Sequence, residues 1–192
     1  MRARLKNEVV RKAFHVSGIT VPLLYFYLGR DYAILYTSAA LLGFMALEFI
    51  RTRAHSLFPL RRTADMIERQ KEKTAIAAYI YFSIAAVLCL YFFDKFPVIV
   101  GVSAALLGDA AAAIFGVWLG RHKLKSGKSL EGSTAGVLVV IAIAYALNCN
   151  PATIVVSGLV FLMIDLVELG IDDNFTAPLA MVVAIQLFEA IL

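Results

Sequence analysis

The chain has 192 residues, of which 61% are hydrophobic and 17% are charged, and its formal net charge is +4. This composition and the mean hydropathy of +0.81 override the expectation of soluble domains and predict an integral membrane protein with several spans. The two cysteines, Cys89 and Cys149, do not have the spacing of a metal or redox motif. We attribute the positive charge to membrane topology and predict no nucleic-acid partner.

Seven apolar segments approach the length of about 20 residues that a helix needs to cross a bilayer. They cover residues 13–29, 31–50, 74–93, 96–119, 133–148, 151–170 and 175–192. We therefore predict an all-α fold, with residues 1–192 forming one domain that is a bundle of about seven transmembrane helices. The first segment is the least regular, because its start is polar. The last carries Pro178 in its first turn, where proline is tolerated.

The distribution of Lys and Arg predicts the orientation of these spans. Sixteen of the eighteen cationic residues lie in the basic N-terminus 1–12, the connection 51–73 and the loop 120–132, which alternation places on one face. Only Arg30 and Lys95 fall on the opposite face. We predict a cytoplasmic N-terminus, an external C-terminus and an amphipathic cytoplasmic helix in the connection 51–73. The same alternation places an acidic turn, residues 170–178, on the cytoplasmic side.

The fourth segment combines a stripe of small residues with one carboxylate. Gly108, Ala112, Gly116 and Gly120 recur at every fourth position, a pattern that allows a neighbouring helix to approach closely and also suits a homodimer. Asp109 lies about 16 Å from Gly120 along an ideal helix. A carboxylate at that depth costs about 3 kcal/mol unless it faces a polar cavity or a cation. We therefore predict a metal or proton role for Asp109.

The loop 120–132 is rich in groups that bind anions, although it is not a P-loop. The Walker pattern requires a glycine where His122 stands and a strand before the loop. Lys128 beside Ser129, with Gly132 and Ser133 at a helix start, can nevertheless present an ammonium and backbone N–H groups to phosphate. The alternative is a basic loop that sets topology, with helix caps from its polar residues.

Acidic residues cluster around the end of the sixth segment. Helical spacing places Asp165, Glu168 and Asp172 along one face, and Asp173 and Asn174 follow directly. Oxygen-rich clusters of this kind suit Mg²⁺, which commonly takes one or two carboxylates together with substrate phosphates. The alternative is a solvated turn that caps the next helix.

These elements, in this order, resemble the motifs of the CTP-dependent lipid-alcohol kinases, namely dolichol kinase, phytol kinase and the fungal type of diacylglycerol kinase. The motifs are Arg-Lys-x-x-His at 11–15, Gly-Asp-x-x-Ala at 108–112, Gly-Arg at 120–121, Lys-Ser-x-Glu-Gly-Ser at 128–133 and Asp-Asp-Asn-x-x-x-Pro at 172–178. The resemblance covers nearly the whole chain. The chain looks like the catalytic core of the longer dolichol kinases.

The resemblance implies phosphoryl transfer from CTP to the hydroxyl of a membrane lipid, giving CDP and a lipid monophosphate. The lipid is a polyprenol or dolichol, a phytol-like alcohol or a diacylglycerol-type lipid. The enzyme is a multi-pass protein of the cell membrane or endoplasmic reticulum, and its active site faces the cytoplasm. Catalysis of this kind depends mainly on positioning and charge stabilisation.

The resemblance also implies roles for individual residues. The expected catalytic residues are Asp109, Lys128 and Asp173, and the expected Mg²⁺ ligands are Asp109, Asp172, Asp173 and Asn174. The expected phosphate-binding residues are Arg121, Lys128, Ser129, Glu131, Gly132 and Ser133, and the expected lipid contacts are Arg11, Lys12, His15 and Glu168. Either Asp109 or Asp173 accepts the proton of the alcohol, and the sequence leaves this choice open.

Two other functions are compatible with the same residues. A CDP-lipid synthase, similar to phosphatidate cytidylyltransferase, also uses CTP, Mg²⁺ and a membrane lipid, but it releases pyrophosphate. An ion-coupled transporter would use acidic residues such as Asp109, Asp165 and Glu168 inside the bundle. No inverted repeat is visible in the sequence, and the acidic residues cluster at one face, so a transporter is less well supported.

Overall fold

A computed structural model describes residues 2–53, 77–124, 127–167 and 170–191 of the chain. The helices are α1 (Arg2–Val16), α2 (Thr20–Leu28), α3 (Arg30–Arg53), α4 (Ala78–Phe92), α5 (Lys95–Trp118), α6 (Leu130–Ala146), α7 (Pro151–Leu166) and α8 (Asp173–Ile191). Over these described ranges the fold is all-helical, which confirms the predicted fold class. Most of the connection 51–73, and Glu168, lie outside the described residues.

Two helices of the described part, α3 and α5, are long and apolar enough to cross a membrane. The helices α4, α6 and α7 are apolar but shorter, with 15, 17 and 16 residues. The helix positions follow the seven predicted segments, except at the first and at the start of the last. The helix α8 begins at Asp173, so Pro178 lies inside the helix and not in its first turn as predicted.

The prediction of one continuous span over residues 13–29 is wrong at its start. The helix α1 ends at Val16, a 3₁₀ turn occupies Ser17–Ile19, and α2 begins at Thr20. Hydroxyl groups stabilise this break, because Ser17 Oγ donates a 2.6 Å hydrogen bond to a backbone carbonyl and Thr20 Oγ1 donates one of 3.0 Å. The polar helix α1 is thereby separated from the apolar segment that follows it.

Local signals explain several helix boundaries. Asn150 caps α7, since its side-chain oxygen accepts a 2.8 Å hydrogen bond from the Thr153 N–H, and Pro151 occupies the first helical position. Gly29, with φ of +91°, ends α2 in a backbone conformation that favours glycine. Ser129 caps α6 in the same way as Asn150 caps α7, with its hydroxyl 3.2 Å from the Gly132 N–H.

The helix α5 is the centre of the bundle and contacts α1, α2, α6 and α8. Its valines Val98, Val100 and Val102 are fully buried. One apolar cluster joins α5 to α6, α7 and α8, and a second joins it to α2, α3, α4 and α8. The backbone of α5, which carries Asp109, is therefore positioned by the packing of both clusters.

Glycines bring α5 and α6 into close contact. A Cβ atom on Gly132 would lie 2.5 Å from the Ala112 carbonyl oxygen and 2.9 Å from Gly116 Cα. A Cβ atom on Gly136 would lie 2.9 Å from the Gly108 carbonyl oxygen. The predicted close approach of a neighbouring helix to the small-residue stripe is thus confirmed, and α6 is that neighbour.

The two ends of the bundle differ in their polar contacts. At one end, here called the distal end, Arg30 donates two hydrogen bonds of 2.6 Å to backbone carbonyls near the end of α4. Asn150 also lies there and donates a 3.0 Å hydrogen bond to Glu189. The opposite end, here called the basic end, holds Arg51, the α5–α6 connection at residues 119–129 and the turn between α7 and α8.

Large apolar side chains cover much of the outer surface of the helices between these ends. Those exposed on α3, α6, α7 and α8 are Leu35, Leu42, Met45, Phe49, Leu138, Val155, Leu159, Met163, Val183 and Leu187. Large apolar side chains are thus exposed on four helices of the described part.

The close approach of Gly132 to α5 predicts that two Gly→Ala variants differ in their effect on stability. Gly132→Ala places a methyl group against backbone atoms that cannot rotate away, so we expect a loss of about 1–3 kcal/mol in the free energy of unfolding. Gly43→Ala, in α3, meets no atom within 4 Å, and alanine is the better helix former by about 1 kcal/mol. Thermal unfolding in detergent should show a lower midpoint for Gly132→Ala only. A lower midpoint for both variants would contradict the contact.

Candidate functional site

A cleft at the basic end brings together residues from α1, α5, α7, α8 and the α5–α6 connection. It encloses about 370 Å³, part of which is open to solvent. Its polar lining consists of His15, Asp109, Lys128, Asp165, Asp173 and Asn174, and its apolar lining consists of Ala105, Leu106, Phe161, Ile164, Ala177 and Pro178.

Lys128 lies between two carboxylates that come from different helices. Its Nζ is 3.1 Å from Asp165 Oδ1 and 3.2 Å from Asp173 Oδ2. Burial lowers the pKa of Lys128, but the two carboxylates outweigh this effect and hold the pKa above its ordinary value. Burial likewise raises the pKa of Asp173, and the nearby Asp109 and Asp172 add to this effect against the opposing effect of Lys128. The cleft thus holds a charged ammonium beside a carboxylate of increased basicity.

The described residues of the α5–α6 connection, 119–124 and 127–129, hold Lys128 at the cleft. The Leu124 N–H donates a 2.9 Å hydrogen bond to the Lys128 carbonyl. Glu131 accepts a 3.2 Å hydrogen bond from the His122 N–H and lies 2.7 Å from His122 Nδ1. Backbone hydrogen bonding and the His122 contact lower the pKa of Glu131 to about 2. Together with the Ser129 cap, these contacts hold both ends of the loop.

The predicted phosphate-binding residues after Lys128 already have partners within the protein. Ser129 accepts from the Gly132 N–H, and Ser133 Oγ donates a 2.5 Å hydrogen bond to Asp165. Glu131 is paired with His122. Arg121 is exposed at the start of the connection. The capping alternative therefore describes Ser129, whereas Glu131 holds His122 instead of capping the helix, and a phosphate role for the loop remains a prediction.

Asp109 faces the side chains of Lys12 and His15 from α1. Its Oδ2 accepts a hydrogen bond from Lys12 Nζ and lies 3.2 Å from His15 Nε2. The Lys12 side chain is only 6% exposed, so this ion pair attaches α1 to α5. Arg11 pairs with Glu8 at 2.5 Å. Of the predicted lipid contacts, His15 lines the cleft and Lys12 reaches its edge.

The acidic turn before α8 divides its residues between two roles. Asp172 Oδ1 accepts hydrogen bonds of 2.8 Å and 2.6 Å from the backbone and side-chain nitrogens of Asn174. Its carboxylate therefore closes the turn, as the capping alternative describes. Asp173 and Asn174 line the cleft.

The predicted Mg²⁺ ligands do not form a single cluster. Among the described residues, no group of three or more His, Cys, Asp or Glu side chains has the arrangement of a metal site. Asp109 is engaged by Lys12, and Asp172 is engaged by Asn174. Asp173 and Asn174, which both line the cleft, do fit a Mg²⁺ ion that receives its other ligands from phosphate and water.

Asp165 is the site residue that sequence reasoning did not assign. The acidic face of the sixth segment includes it, but nothing in the sequence distinguishes it from its acidic neighbours. In the structure its side chain is only 8% exposed and contacts both Lys128 and Ser133. The one available signal was its early position, seven residues before Asp172, which places it deeper in the bundle.

Comparison with known proteins finds a similar protein whose name describes no activity. No family model matches the chain, and no solved structure matches it. The chain is 26% identical to the uncharacterized protein RP860 of Rickettsia prowazekii (strain Madrid E) over 203 aligned residues, which cover 96% of each chain. The chain is therefore similar to that protein along nearly its whole length.

Proposed function

We propose that the chain is a CTP-dependent kinase of a membrane lipid alcohol. The observation that carries this proposal is the convergence of four sequence motifs, from α1, α5, the α5–α6 connection and the α8 start, on one cleft. Lys128, Asp109 and Asp173 all line it, although up to 64 positions separate them in the chain. CTP as the phosphoryl donor rests on the family resemblance.

The charges of the cleft suit phosphoryl transfer to an alcohol. An ammonium has three donors, so Lys128 can exchange its contact with Asp173 for a phosphate oxygen while it keeps its contact with Asp165. The alcohol oxygen forms a bond to the γ-phosphorus, and the bond from that phosphorus to the β–γ bridging oxygen breaks, with its electron pair leaving on CDP. The alcohol proton passes to a carboxylate, and Asp173, the more exposed carboxylate beside Lys128, is our choice for this role.

A bound Mg²⁺ would supply charge neutralisation for the phosphates in this site. Asp173 and Asn174, which both line the cleft and carry side-chain oxygen atoms, would hold it. Asp173 would hold the ion through one carboxylate oxygen and accept the alcohol proton through the other. Lys128, whose ammonium lies next to Asp173, would bind the triphosphate beside the ion.

The apolar half of the cleft suits a lipid substrate. Phe161 and Ile164 of α7 and Pro178 of α8 lie directly beside the charged residues. A primary or secondary hydroxyl on an apolar chain can therefore reach the polar residues while its carbon atoms stay in contact with apolar side chains.

The surface of the bundle supports a multi-pass membrane location with about seven spans. Exposed apolar side chains cover the middle of the helices, where lipid would contact them. Arg51, Arg121 and Lys128 lie at the basic end, whereas Arg30 and Lys95 lie at the distal end, where Lys95 donates a 3.0 Å hydrogen bond to a carbonyl of α2. By the positive-inside rule, the basic end and its cleft face the cytoplasm.

Single-cysteine labelling tests this orientation. In a background in which both native cysteines, Cys89 and Cys149, are replaced by alanine, a membrane-impermeant maleimide should label Asp31→Cys in intact cells, because Asp31 is exposed at the distal end. Lys123→Cys, exposed at the basic end, should be labelled only after lysis. Labelling of Lys123→Cys in intact cells would contradict the orientation.

Isotope transfer tests the reaction. Purified protein in detergent, with Mg²⁺, lipid alcohols and CTP labelled in its γ-phosphate, should place the label in a lipid monophosphate, and chelation by EDTA should stop the transfer. Label recovered only in pyrophosphate would instead identify a CDP-lipid synthase. Substrate uptake into proteoliposomes without any nucleotide would favour the transporter.

Two substitutions test the site. Lys128→Ala removes the ammonium expected to bind the triphosphate and should lower kcat by about 10²–10³-fold. Asp173→Asn removes the proton acceptor and should lower kcat by about 10²–10⁴-fold. Glu189→Gln, which neutralises a partly buried carboxylate at the distal end, is the matched control and should keep wild-type turnover. Retained turnover in both site variants would refute the proposed site.

A further inference from the structure

The two carboxylates that contact Lys128 face different surroundings. The Asp165 side chain is 8% exposed, and the Asp173 side chain is 49% exposed. Charge–charge attraction is stronger where water is excluded, and exposed ion pairs contribute little. The Asp165 contact therefore determines where the ammonium lies, and the Asp173 contact is the one that a ligand can replace.

Both oxygens of Asp165 are engaged by the segment that carries Lys128. Oδ1 is 3.1 Å from Lys128 Nζ, and Oδ2 accepts a 2.5 Å hydrogen bond from Ser133 Oγ. Ser133 is 2% exposed and lies in the first turn of α6, so its hydroxyl has a fixed position. The carboxylate is thus oriented by α6 and in turn orients the lysine that precedes α6.

The other charged groups of the cleft do not take part in this contact. Asp109 is bound to Lys12 and lies beside His15 on the α1 side. This leaves Asp165 and Asp173 as the carboxylates that contact Lys128 within the described residues.

We propose that Asp165 is a positioning residue that holds the Lys128 ammonium at the base of the cleft, so that a ligand can replace the contact between Lys128 and Asp173. The proposal rests on the proposed function in one respect, namely that the ligand of Lys128 is the triphosphate of CTP. Asp165 itself touches no substrate, and it acts through Lys128.

The first test separates nucleotide binding from turnover. Asp165→Asn should weaken the binding of Mg²⁺·CTP about 10-fold, since a charge-assisted hydrogen bond to the ammonium is lost, and KM for CTP should rise by a similar factor. Its kcat should fall much less than that of Asp173→Asn. Glu189→Gln should change neither parameter. An Asp165→Asn variant with reduced kcat and unchanged CTP binding would overturn the proposal.

A double variant tests whether Asp165 acts through Lys128. Lys128→Ala combined with Asp165→Asn should bind CTP no more weakly than Lys128→Ala alone, because both substitutions remove the same contact. Additive losses would overturn the proposal. If Asp165→Asn does not fold, the same comparison can be made with Ser133→Ala, which removes the hydroxyl that orients Asp165. Ser133→Ala alone should weaken CTP binding a few-fold, and it should cause no further loss when it is combined with Lys128→Ala. Additive losses would again overturn the proposal.

A second readout does not depend on the kinase activity. Proton–nitrogen NMR of lysine ammonium groups in mildly acidic buffer detects those held in stable ion pairs, and Lys128→Ala identifies the Lys128 signal. We expect this signal to persist in Asp173→Asn and to disappear in Asp165→Asn. The reverse pattern would overturn the positioning role. Absence of nucleotide binding and lipid phosphorylation by the wild-type protein, with the expected NMR pattern, would refute the proposed function alone.

Discussion

The close contact between α5 and α6 is the constraint on which the site depends. Because Gly132 and Gly136 have no side chains, the backbone of α6 reaches the carbonyls of Ala112 and Gly108. The same contact brings the N-terminus of α6 alongside α5. Lys128, which directly precedes the Ser129 cap, is thereby held beside the α7 and α8 residues that complete the cleft. A wider helix separation would move the ammonium away from Asp165 and Asp173.

The electrostatics of the cleft follow from this packing. Asp109 and Asp165 lie within or next to apolar helices, where an unpaired carboxylate is costly. Each has a lysine partner that comes from elsewhere in the chain, Lys12 for Asp109 and Lys128 for Asp165. The exposed Asp173 is the least constrained of the three acidic residues. The structure therefore separates the carboxylates that join helices from Asp173, whose side chain is the most exposed of the three.

Much of the fold could be predicted from apolar segment lengths and from helix-capping residues. The helices α3 to α8 lie where the apolar segments predicted them, since hydrophobic runs bounded by charged or capping residues are local signals. The polar start of the first segment was noted, but the break at Ser17–Ile19 was missed, because hydrogen bonds from hydroxyl groups to the backbone decide it. The loop 120–132 and the acidic turn were recognised as polar elements, but their capping contacts could not be distinguished from ligand-binding roles in advance.

The sequence by itself determined the all-helical fold class, the small-residue stripe and the residues that make the cleft polar, because each depends on composition or short-range spacing. Only the tertiary structure decided the partners of these residues. It paired Asp109 with Lys12, assigned Asp172 to a turn and placed Asp165 beneath Lys128. These outcomes depend on which helix faces which, and on how much water each carboxylate keeps. Contacts between residues up to 97 positions apart, as for Lys12 and Asp109, are set by helix packing, which no local pattern in the sequence specifies.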